Sequence, residues 1–148
     1  MVVRCIRTQG DIGWTDIYPR LVEIREQKLD CVDIGAEYLV YSVWFVHGML
    51  GYDICCNDCE YHPKWHMAGY FEVIDPRLSK YWEHTYLQES TLRHTQGVLS
   101  FPEAVRNKSF INNLIDNEPE AVGVWLRYKK LIEEEFEWHV EEGGNPIN

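Results

Sequence analysis

Apolar and polar positions alternate with a period of two through the first half of the chain, then repeat at helical spacing in the second. Residues 2–8 read as a first strand, with Val3 and Cys5 on one face and Val2 and Ile6 on the other. Gly10, Gly13 and Pro19 mark 9–19 as a loop. The stretch 21–27 fits a strand by its alternation and equally fits a short helix. Residues 37–46 carry the strongest strand signal, rich in β-branched and aromatic side chains and apolar on both faces, as a central strand would be. Glycines at 48 and 51 suit a hairpin turn, after which 52–56 would return and Asn57-Asp58 would end the strand. Residues 69–75 predict another strand, stopped by Pro76. Together these pieces predict a small, curved antiparallel sheet or a partly open barrel.

Past residue 75 the pattern turns helical. Ser100-Phe101-Pro102-Glu103 matches a capping box, with Glu103 at the third helical position. The helix it opens would break and restart near Ser109, with Phe110 and Leu114 sharing its buried face. Asn117-Glu118-Pro119-Glu120 repeats the start signal, and the helix after it should be the longest. Val122, Trp125, Leu126, Ile132, Phe136 and Val140 fall on one stripe, and the Lys129 stem would lie along it. Gly143-Gly144 would end it, leaving 143–148 as a frayed tail. The expected class is α+β in one domain over 1–148, mainly β over 1–75 and mainly α over 76–142.

Composition narrows the function classes. With 148 residues, 45% hydrophobic and 14% aromatic, the chain can bury a real core without a staple. No apolar run approaches the ~20 residues that span a bilayer. Charges interrupt the apolar N-terminus, which does not read as a signal peptide. Five cysteines, an odd number, fit thiols in a reducing cytoplasm better than a disulfide framework. The net charge of -10 opposes binding to nucleic acid and to anionic membranes, and suits a basic protein partner. No phosphate-loop, dinucleotide, nucleophile-elbow or zinc-protease motif is present, so a binding role is favoured over an enzyme.

Two stretches offer chemistry. Cys56-x2-Cys59 and His62-x3-His66 both have metal-ligand spacing, and thiolate with imidazole is the donor set zinc prefers. Only two residues separate the halves, where a zinc finger has about a dozen. Cys55 would substitute for Cys56 if the strand presented its other face. The competing reading is a hairpin end with two small buried cysteines and two surface histidines, and no cofactor. Further on, His84 and His94 with Glu83 or Glu89 would make an acid–base pair, although Arg93 is the one cation in that stretch.

The end of the chain has the most lopsided charge. From Glu118 onward eight acidic residues face three basic ones, half of the net charge. Carboxylates at a helix C-terminus oppose its dipole, an arrangement expected where a surface serves another purpose. Trp138, opposite the apolar stripe, would be an anchor among them.

The lead-in Val32-x2-Gly35-x2-Tyr38-x-Val40-Tyr41 resembles that of small SH3-like barrels, in which the glycine permits a tight turn into the long strand. Phe71-Glu72-Val73-Ile74-Asp75-Pro76-Arg77-Leu78-Ser79 with Trp82 resembles a pattern in immunity proteins of bacterial polymorphic and contact-dependent toxin systems. The resemblance covers roughly 29–82 and leaves the Cys/His stretch unexplained. It implies an inhibitor that neutralises a cognate basic toxin, a nuclease above all, by stoichiometric binding. The residues expected to meet that partner are Glu133, Glu134, Glu137, Trp138 and Glu141, with Asp58, Glu60 and Trp65 as a second patch.

Overall fold

Ten consecutive residues, Glu37–Val46, form the strand around which the sheet is built, β2. The computed structural model describes residues 1–9, 29–46, 49–56, 62–86 and 95–138. Before this strand lies β1 (Val2–Cys5). After it come β3 (Met49–Ile54), β4 (Lys64–Met67), β5 (Phe71–Asp75), β6 (Glu83–Tyr86) and β7 (Thr95–Ser100). All pairings are antiparallel, in the order β4-β3-β2-β1-β5, with β7 also pairing β2 and carrying β6. One edge of β2 takes β3, while the other takes β1 near its start and β7 near its end. The open sheet therefore forks along its central strand. The expected hairpin is present, with Val46 opposite Met49, so its return strand starts three residues before Tyr52.

Both faces of β2 are buried, as its composition requires. Tyr38 and Val40 join a first core with Val3, Cys5, Ile54 and Phe71. Leu39 and Tyr41 point the other way, into a second core with Val2 and the helices. A register shift between Val40 and Ser42 marks a bulge, and past it Val43 returns to the first core. Gly35 has φ +88, and the Asp33 carbonyl accepts the Ala36 N–H at 3.1 Å across it. This is the glycine-dependent turn expected before the long strand. Arg4 then spans three strands, pairing with Glu37 at 2.7 Å and Glu72 at 3.0 Å.

Three helices follow among the described residues: α1 (Pro102–Arg106), α2 (Phe110–Ile115) and α3 (Pro119–Glu135). The α+β class stands, but the boundary moves. Two short strands, β6 and β7, occupy the region read as helical after residue 75, because strands of four and six residues leave little periodic signal. The capping box does not form. Phe101 is the N-cap of α1 and no side chain caps it, since its ring is buried against Phe110 and Tyr128 instead. The break near Ser109 and the buried pair Phe110 and Leu114 are as expected.

On α3 the buried stripe is Ala121, Trp125 and Ile132, flanked by half-buried Tyr128. Leu126, placed on the stripe by spacing alone, is 50% exposed. Each of the last two helices closes with the same geometry. Asn117 and Glu137 adopt left-handed φ of 57 and 51. After α2, the Glu118 N–H donates to the Asn113 carbonyl at 2.9 Å, and after α3 the Trp138 N–H donates to Glu133 at 2.8 Å. These are Schellman closures, which satisfy carbonyls the helix leaves open. So α3 stops at Glu135 and not at Gly143-Gly144. Among the described residues no helix is long and apolar enough to cross a membrane.

Candidate metal centre

Three segments far apart in sequence meet at one edge of the first core. Cys31 lies in the stretch that leads to the Gly35 turn. Cys56 follows β3 by two residues and so keeps the face of Ile54, inside the first core. His66 comes from β4, is buried, and packs edge-on against Phe71 with centroids 6.2 Å apart. The two sulfurs and the imidazole nitrogen all lie within 4.8 Å of one another. His66 Nε2 is 3.6 Å from Cys31 Sγ and 4.0 Å from Cys56 Sγ. Tetrahedral zinc, with bonds of about 2.3 Å to sulfur and about 2.05 Å to nitrogen, sets sulfur and nitrogen about 3.6 Å apart. The triad therefore fits a metal ion, and its two-sulfur, one-nitrogen donor set suits zinc.

Of the four ligands expected from spacing, the structure brings Cys56 and His66 together. Cys59 lies outside the described residues. His62 is not in the triad; its Nδ1 sits 3.2 Å from the Pro63 carbonyl. The reason is geometric. A His-x3-His pair converges on a helix, whereas residues four apart in extended chain are separated by about 13 Å. The missing donor is Cys31, which spacing could not find because it lies 35 positions from His66. Cys55 is excluded as a substitute, since the pleat turns it to the second core. There it joins Tyr41, whose hydroxyl donates to Glu133 Oε1 at 2.9 Å and is pushed well above its ordinary pKa by burial.

On the opposite face of β3 from Tyr52 and Ile54 sits a second polar group. Asp53 is buried, and its Oδ2 accepts from the Ser42 hydroxyl and from Trp44 Nε1. Burial pushes its pKa up to about 6, against the opposing pull of these two donors and of His62. Beside it, the Trp65 indole lies over Gly51, where an added Cβ would overlap the ring.

The acid–base pair expected near residue 84 does not assemble among the described residues. Glu83 is engaged by Arg106, with Nε at 2.9 Å, and neighbouring strand positions place His84 on the other face. Glu89, Arg93 and His94 lie outside the described residues.

The acidic helix end divides by role. Glu133 accepts from Tyr41 and Lys129, and Glu135 accepts from the Ser79 hydroxyl at 2.6 Å and the Lys80 N–H at 2.9 Å. Glu133 ties the helix to β2, and Glu135 ties it to the segment between β5 and β6. Glu134 and Glu137 are exposed, Glu134 with Lys130 3.8 Å away. Trp138 is half-buried and packs on the second core, because the left-handed turn at Glu137 swings it back. Its expected position opposite the apolar stripe assumed a helix that has already ended. Glu141, Asp58 and Glu60 lie outside the described residues. Between the helices, Glu103, Glu118 and Glu120 with Asn107 and Asn113 line an acidic groove of about 310 Å³.

No known protein-family model matches the chain, and neither a curated protein nor a solved structure matches it.

Proposed function

We propose that this is a zinc-binding protein in which the ion is structural, held by Cys31, Cys56 and His66. The convergence of these donors from three separate segments, at sulfur–nitrogen distances near those of tetrahedral zinc, carries the reading. Bound there, zinc joins the approach to β2, the end of β3 and the strand β4. That join closes long loops, where a cross-link removes most freedom from the unfolded chain. Cys59, at Cys-x2-Cys spacing from Cys56, qualifies by sequence as a fourth donor, and water is the alternative. The test is metal analysis of the full chain purified without added metal, followed by exchange for cobalt. One zinc per chain, with tetrahedral cobalt absorption and sulfur-to-cobalt charge transfer, is expected. Both should be lost in Cys31→Ser and in His66→Ala. A metal-free chain that takes up no cobalt would overturn the reading. The charge-transfer intensity in Cys59→Ser tells whether two or three sulfurs bind.

A second reading concerns what the domain meets. An inhibitor that neutralises a basic toxin, such as a nuclease, is favoured by the acidic groove between the helices and by the net charge of -10. Reversing Glu118 and Glu120 to lysine should weaken a salt-sensitive complex with such a partner. Unchanged affinity and salt dependence would rule that groove out.

A further inference from the structure

The two cysteines of the triad differ in access. Cys56 is 6% exposed inside the first core, whereas Cys31 is half-buried. Their sulfurs lie within 4.8 Å. A disulfide needs about 2.05 Å, so side-chain rotation and a small shift of the Cys31 segment would close the gap. Cys31 lies outside any strand, in the segment that leads to the Gly35 turn. Reactivity follows access, so an oxidant reaches Cys31 first.

Resting on the zinc reading above, we propose that the centre is a redox-released zinc site, in which a hydroperoxide converts Cys31 and Cys56 into a disulfide and expels the ion. The Cys31 thiolate attacks the peroxide. A sulfur–oxygen bond forms, the oxygen–oxygen bond breaks, and hydroxide or alkoxide leaves. The Cys56 thiolate then attacks the sulfenic sulfur, forming the disulfide and releasing hydroxide. Two thiolates have given two electrons to the hydroperoxide, and both negative charges that held the zinc are gone. His66, with at most one further donor beside it, does not retain the ion. The disulfide still joins the same two segments, so the sheet survives while the β4 histidine is released. β4 keeps its ladder to β3, so what depends on oxidant is the link between His66 and the Cys31 segment.

The test adds hydrogen peroxide to the zinc-loaded full chain, with a chelating dye reading released zinc and peptide mapping locating the link. One zinc should be released for each disulfide formed, and the link should join Cys31 to Cys56. In Cys55→Ser, release should be unchanged. In Cys56→Ser, with no second sulfur to close the bond, a 1,3-diketone reagent should trap sulfenic acid on Cys31. Zinc retained while other thiols oxidise, or a link from Cys56 to Cys59, would overturn this proposal and leave the zinc site standing. A starting protein without zinc would overturn the metal reading itself and this inference with it.

Discussion

Asp53 makes the stability of this fold fall as pH rises. In the unfolded chain its carboxyl has the ordinary value of 3.8, and burial on the β2–β3 face lifts it to about 6. The folded state therefore holds the proton more tightly. Between these two values the folded chain binds more protons than the unfolded one, so stability declines with pH across the window and is flat above it. A shift of about two units corresponds to about 3 kcal/mol, the cost of an ionised carboxylate at this site. The Ser42 and Trp44 donors keep that cost below what an unpartnered buried charge would carry. Asp53→Asn isolates the effect. Its carbonyl oxygen still accepts from Ser42 and Trp44, and it has no proton to lose. Urea unfolding of both chains from about pH 4 to about pH 7.5 should show wild-type stability, relative to the variant, falling by about 2.5 kcal/mol. Taking the difference cancels metal loss and other carboxylates, such as Asp75, which Arg77 holds down at about 2. Carboxyl carbon NMR should place the Asp53 midpoint near 6. A midpoint near 4, or a difference that stays constant with pH, would refute the assignment of Asp53 as a desolvated acid.

Three further substitutions probe the packing. Glu137→Gly should raise stability by about 1 kcal/mol in urea unfolding, because glycine takes the left-handed φ of 51 without strain and a carboxylate is lost at the helix C-terminus. A destabilised variant would mean that Glu137 makes a compensating contact. Trp125→Ala should cost about 3–5 kcal/mol, since the ring is 1% exposed and meets Tyr41 edge-on at 4.9 Å. A loss under about 1 kcal/mol would show that the second core tolerates a void there. Gly51→Ala should push the Trp65 indole off the sheet, costing about 1–3 kcal/mol and shifting tryptophan emission to the red. Unchanged emission would show that the ring does not lie on Gly51.

How far the fold was legible follows from where local signals are strong. β2 matched its predicted bounds because the run from Glu37 to Val46 is dense in β-branched and aromatic residues, and both its faces are buried from Tyr38 to Val43. The start of α3 was equally clear, with Pro119 in the first turn. β6 and β7 were illegible, because β7 is held by pairing to β2 and β6 by pairing to β7, contacts no local pattern records. The end of α3 was missed for a related reason. The closure falls on Glu137, a residue whose intrinsic preference is helical, so tertiary packing of Phe136 and Trp138 on the second core decides it.

The metal centre shows the same division in one place. Cys56 and His66 stood out because thiol and imidazole cluster there, yet spacing assigned the pair the wrong companion. His62-x3-His66 is a helical signature, and the chain there leads into β4. On extended chain the useful neighbours are across the sheet or beyond it, which is how Cys31, from before β2, comes within 3.6 Å of His66. The adjacent pair Cys55-Cys56 follows the same rule from the other side. The pleat sends one sulfur to the helices beside Tyr41 and the other to the centre, so two identical neighbours have different chemistry. Which cysteine faces the candidate centre is therefore decided by strand parity, and moving Cys56 by a single position would take its sulfur to the opposite core.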